Sequence, residues 1–131
     1  MTGVPQFNIP LFDRIAFEMR AGGYDVVSPA ELDSKPMREA ALLSQTGSMA
    51  DIAHVPHATW GDCLARDVKL IADDLDAIVL LPGWWRSRGA RLEAFVGLLC
   101  QKRFYTWELP IGHPVELDAF YVRSHIMANM P

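Results

Sequence analysis

The stretch Asp76-Ala77-Ile78-Val79-Leu80-Leu81-Pro82-Gly83 constrains the fold more tightly than any other. It is an unbroken apolar run closed by Pro-Gly. A strand with one wet face alternates apolar and polar residues, whereas a run without alternation suits a strand of a parallel sheet covered on both faces. Its flanks carry helical periodicity. Upstream, from Trp60 or Gly61, Leu64, Val68, Ile71 and Leu75 fall at i, i+4, i+7 and i+11, one apolar stripe. Downstream, after the polar loop Trp84-Trp85-Arg86-Ser87-Arg88-Gly89, a second helix is predicted with Leu92, Phe95, Val96 and Leu99 on its buried face. Lys102 and Arg103 suit the negative end of that helix, and Phe104 to Trp107 reads as the next strand.

The same alternation runs through the first part of the chain. A helix is predicted from Pro10, with Phe12, Ile15, Ala16 and Met19 at helical spacing, and Gly22-Gly23 ends it. Tyr24 to Ser28 reads as a short strand closed by Pro29. Residues 33 to 60 read as a surface excursion with one short helix around Arg38 to Leu43. Strands alternating with helices imply an α/β fold, a mostly parallel sheet with helices on both faces.

Composition narrows the function classes. The 131 residues are 50% hydrophobic and 21% charged, with a net charge of −4 and a pI near 5.5. A length of this kind suits one domain with a real core. A broad electrostatic footprint for polymeric nucleic acid is missing. Cys63 and Cys100 stand alone and form no CxxC, so they read as reduced, packed thiols of a cytoplasmic protein. No run approaches the roughly 20 apolar residues of a membrane span, and Met1 to Pro5 is not a signal peptide. His54, His57, His113 and His125 show no ligand-grade clustering, and no metal or redox cofactor is called for.

In open α/β sheets, ligands sit beyond the carboxyl ends of the strands, where a strand hands over to a helix. Here that handover is Pro82 to Gly89. Ser87 is placed as an N-cap, Gly89 permits close backbone approach, and the first-turn N–H groups attract an anion such as phosphate. Arg86, Arg88 and Arg91 add three cations, one or two of which are expected only to solvate the surface. Neither a Walker loop nor a GxGxxG fingerprint is present. Glu93 lies one turn further in. It either favours the helix dipole or faces the crevice as a catalytic carboxylate. Asp67, about 60° off the apolar stripe of its own helix by the 3.6-residue period, is its candidate partner or else part of a solvated face with Asp73 and Asp74. Two carboxylates converging on one crevice is the arrangement that glycosidic bond cleavage uses. Trp84 and Trp85 either stack on a nucleobase, cover a subunit interface, or pack on the neighbouring helix.

Asp76 to Gly83, followed by Ser87-Arg88-Gly89-Ala90-Arg91-Leu92-Glu93-Ala94, resembles the nucleoside 2-deoxyribosyltransferase-like superfamily, and in particular a small, often phage-encoded branch described only as a domain of unknown function. Met1-Thr2-Gly3, Phe7 to Phe12, Gly22 to Glu31 and Trp60 to Asp67 also match. The resemblance covers most of residues 1 to 107. It implies a three-layer, Rossmann-like or flavodoxin-like sheet over residues 1–109, with residues 110–131 as a C-terminal extension. It implies a nucleophilic glutamate at Glu93 and a helix-borne aspartate at Asp67. Ser87 to Glu93 is similar to the Ser-x-Gly-x-x-x-Glu pattern of deoxynucleoside 5′-monophosphate N-hydrolases, in which the serine and its backbone help hold the 5′-phosphate. Ser87, Gly89, Arg88 and Arg91 would then serve the phosphate, and Gly3 with Thr2 would belong to the loop that wraps the nucleotide's other side. The superfamily is commonly dimeric or larger, so a homo-oligomer is expected.

Superfamily members carry a strand immediately before Met-Thr-Gly, whereas this sequence starts at Met1-Thr2-Gly3. Loss of an inner strand leaves two unpaired ladders. The start lies upstream, another chain supplies the strand, or the C-terminal extension fills the gap, since Asp118 to Ser124 reads as a strand. Two functions follow. The first is N-glycosidic hydrolysis or deoxyribosyl transfer on a deoxynucleoside monophosphate. The second is a non-catalytic nucleotide-binding or regulatory module, such as a phage accessory protein.

Overall fold

The computed structural model describes residues 2–110 and 112–131. The chain divides into two compact units, one running up to Cys63 and the other starting at Leu64. Among the described residues there are six α-helices and a three-stranded sheet, and no helix is long and apolar enough to cross a membrane.

The first unit is helical. α1 (Ile9–Ala21) starts where Pro10 is tolerated, in the first turn, and Gly22 and Gly23 close it as expected. α2 (Pro29–Leu32) and α3 (Lys35–Leu43) follow, the latter capped by Ser34, whose Oγ accepts from the N–H of Met37. Short 3₁₀ segments span Pro5–Asn8 and Met49–Ile52. Phe7, Ile9, Ala30, Met37, Ala41, Ile52, Val55 and Ala58 form the core of this unit. The chain enters α1 through three successive left-handed residues, Gln6, Phe7 and Asn8, with φ of 57, 51 and 60°. Each costs roughly 1–2 kcal/mol outside glycine. The cost is offset by burying Phe7 and by backbone bonds from Gly3 to Gly47 and from Gln6 to Ser44. Gly47 has no alternative residue: its φ is +69°, and a Cβ there would stand 2.1 Å from the Val4 carbonyl oxygen.

Tyr24 to Ser28 forms no strand, contrary to the sequence reading. β-rich composition makes extended backbone cheap, yet only a ladder partner makes a strand. None is formed here among the described residues. The Tyr24 N–H instead closes the end of α1 on the Met19 carbonyl.

α4 (Trp60–Asp73) begins in the first unit and continues into the second; of the predicted stripe Ile71 is buried, Leu64 and Val68 are half-buried, and Leu75 falls beyond the helix end. Then come β1 (Ala77–Leu80), a 3₁₀ turn at Trp84–Arg86, α5 (Arg88–Leu99), β2 (Arg103–Glu108), β3 (His113–Leu117) and α6 (Ala119–Ala128). β1 pairs parallel with β2, Ile78 opposite Phe104, and β2 pairs antiparallel with β3, Thr106 opposite Val115. The sheet is therefore mixed, with β1 at one edge. Its residues Ala77, Ile78 and Val79 are only half-buried.

Two further expectations fail in this unit. Asp118 to Ser124 does not form a strand that fills a gap in the sheet. Asp118 instead caps α6 by accepting from the Phe120 N–H, and the extension's one strand, β3, adds at the far side of β2. An Asp followed by Val, Ile and Met at helical spacing can be buried as a helix, and Val122 and Ile126 are buried in the core with Leu80, Trp84, Ala94 and Phe104. The buried face of α5 is also rotated. Leu92, Phe95 and Leu99 are exposed, Leu99 by 69%, while Ala94 and Gly97 are buried. Small residues let the helix lie close on the sheet. A Cβ on Gly97 would come within 2.5 Å of Ile78 Cδ1 and 2.9 Å of Phe104 Cζ.

Candidate active site

Asp67 is the one buried carboxylate among the described residues, at 9% exposure, on an otherwise amphipathic α4. A carboxyl group out of water needs charged or hydrogen-bonding partners. Arg66 supplies one, its Nε donating to Asp67 Oδ1 at 2.9 Å. Glu93, in the second turn of α5, supplies the other through a side-chain hydrogen bond to Asp67. Burial, then the charge of Asp67 and that hydrogen bond, push the Glu93 carboxyl from 4.5 up to about 8, against a smaller opposing pull from Arg66. At neutral pH Glu93 therefore holds a proton and donates it toward Asp67. Two carboxyl groups in contact ionise as a pair rather than singly.

The start of α5 is built as expected. Ser87 is extended at φ −92° and ψ 125°, and its Oγ accepts from the Ala90 N–H at 3.3 Å. Gly83, at φ +79°, lets the chain turn sharply from β1 into Trp84–Arg86. Arg88 is exposed and Gly89 half-buried, both in the first turn of α5. Arg91 is engaged structurally: its Nη1 donates to the Trp85 carbonyl at 2.7 Å, bracing the turn.

Of the tandem tryptophans, Trp84 departs from the base-stacking expectation. Trp84 is 7% exposed and belongs to the core, edge-on to Trp85 at 6.2 Å between centroids. Its rings are consumed by packing because the turn folds inward over α6. Trp85 is half-buried against the same cluster. Thr2 and Gly3 are exposed in the first unit, where the Gly3 N–H donates to the Gly47 carbonyl at 2.9 Å.

Sequence reasoning missed Arg66 and His125. Adjacent residues on a helix do not face each other, so an i, i+1 pairing of Arg66 with Asp67 carries no periodic signal. His125, with Tyr121 four residues before it, lines up on one face only once α6 is known to be a helix.

Fold and site together define a mixed α/β protein with a carboxyl pair, buried Asp67 and half-buried Glu93, shared between two helices, one of which opens on a serine-capped, arginine-flanked turn. The chain belongs to the family described as a domain of unknown function, DUF4406, whose model matches residues 1–105. No curated protein and no solved structure matches it.

Proposed function

We propose that this protein cleaves the N-glycosidic bond of a deoxynucleoside 5′-monophosphate, releasing the base to water or exchanging it, as a member of the nucleoside 2-deoxyribosyltransferase-like superfamily. The observation that carries the reading is the Glu93–Asp67 pair. A surface glutamate that merely favours a helix dipole has no need of burial against a second carboxylate.

The pair has the proton inventory that the reaction requires. The resting proton sits on Glu93 and must pass to Asp67 as the substrate binds. The freed Glu93 carboxylate then bonds to the anomeric carbon while the carbon–nitrogen bond breaks, and Asp67 gives its proton to the departing base. In hydrolysis Asp67 next takes a proton from water, the hydroxide bonds to the anomeric carbon, and the ester to Glu93 breaks. One proton is again shared by the pair. Arg66 keeps Asp67 oriented, and the capped turn at Ser87, with Gly89 and Arg88 beside it, suits the 5′-phosphate. The resemblance also carries the finer architecture, a three-layer and mostly parallel sheet, and a homo-oligomer. The exposed row Leu92, Phe95 and Leu99 supports the latter.

One feature favours the second reading, a binding module without turnover: burial and the neighbouring Asp67 charge raise the Glu93 carboxyl to about 8, which favours its protonated form over a ready nucleophile. The test is to incubate the purified protein with the four deoxynucleoside monophosphates and assay free base by chromatography. Release is expected, and Glu93→Ala should lower it by at least about 10³-fold, the order lost with a nucleophile. Tight nucleotide binding with no base released by the unaltered protein selects the binding module.

A further inference from the structure

The family match ends at residue 105, yet α6 lies across the turn that leads from β1 into α5. The packing there is specific. The His125 ring stands 6.2 Å from Trp84, 5.2 Å from Trp85 and 4.1 Å from Tyr121, centroid to centroid. Its Nδ1 lies 3.0 Å from the Tyr121 carbonyl, which fixes the ring plane. From the other side Arg91 holds the Trp85 carbonyl at 2.7 Å. The turn is thus gripped between α5 and α6, while Val122 and Ile126 anchor α6 in the core beneath it. Four aromatic rings meeting at such separations form a rigid joint.

We infer that His125, with Tyr121, is a positioning residue: α6 clamps the Trp84–Ser87 turn and so holds the ligand-facing wall of the candidate site in register with Glu93. This rests on the proposed function for what the wall contacts, but not for the clamp itself. Glu93 and Asp67 sit on α5 and α4, outside the joint, so loosening it acts on ligand binding before it acts on the reacting bond.

The experiment compares His125→Ala and His125→Phe with the unaltered chain. Amide hydrogen exchange over residues 84 to 87 is expected to speed up by about tenfold in His125→Ala, with residues of β2 unchanged, and to be largely restored in His125→Phe, which keeps the ring. With deoxynucleoside monophosphate as substrate, KM should rise about fivefold in His125→Ala while kcat stays within about twofold, the pattern of lost ground-state positioning. Unchanged exchange at 84 to 87, or a fall in kcat at constant KM, overturns the inference. If the unaltered protein releases no base, the reading of function fails by itself. The exchange comparison still decides the clamp.

Discussion

At the residue scale, the proton on Glu93 dominates. Its carboxyl is raised from 4.5 to about 8 chiefly by burial. A carboxyl raised on folding binds more proton in the folded than in the unfolded chain. Its contribution to stability is therefore complete below about 4.5 and is lost as pH rises through about 8. The expected outcome is a melting temperature that falls between pH 6 and pH 9 by on the order of 5 °C. Glu93→Gln, which keeps the shape and a hydrogen-bond donor toward Asp67, should abolish most of that fall. Differential scanning calorimetry of both proteins across this range checks it; equal pH dependence removes the buried-proton account. The same pair predicts that base release declines as pH rises past about 8, because the proton needed by the leaving base has gone.

At the scale of elements, α5 shows why a helix can be read correctly in place and wrongly in orientation. Its bounds, its Ser87 cap and its position after an apolar strand all follow from local chemistry. Its rotation does not. Large apolar residues at 92, 95 and 99 suggest one buried face, but Ala94 and Gly97 take it because only they permit close approach to Phe104 and Ile78. Gly97→Val should therefore lower stability by about 1–3 kcal/mol through overpacking, even though valine favours the helix backbone over glycine. Urea unfolding followed by circular dichroism measures the difference. A neutral or stabilising result would mean that α5 can slide on the sheet. That rotation also turns Glu93, one position from Ala94, toward Asp67 rather than toward bulk water.

At the scale of the whole molecule, the residues beyond the family match are part of the architecture. β3 extends the sheet antiparallel beside β2, and α6 contributes Val122 and Ile126 to a core that also holds Trp84 and Phe104. Deleting residues 119 to 131 removes those two side chains from burial, a loss of about 3–6 kcal/mol at roughly 1.5–3 kcal/mol each. That is a large part of the stability of an ordinary domain. The truncated chain is expected to lose near-ultraviolet circular dichroism while keeping much of its far-ultraviolet signal. Retention of a native near-ultraviolet spectrum would show the extension to be dispensable.

Residue order alone was enough to place α1, α4, α5, β1 and β2, because periodicity, caps, Pro and Gly act within a few residues. It also singled out Glu93 and Ser87 through residue type and place beside a strand-to-helix turn, and Asp67 through its position at the edge of the apolar stripe of α4. Folding in three dimensions was needed to settle that Tyr24 to Ser28 finds no ladder, that residues 119 to 128 are helix rather than strand, that Trp84 is core, and that Glu93 meets Asp67. Each of these depends on which distant group comes within a few ångströms, and hydrogen-bond partners, burial and charge pairing are properties of that proximity, not of the local chain.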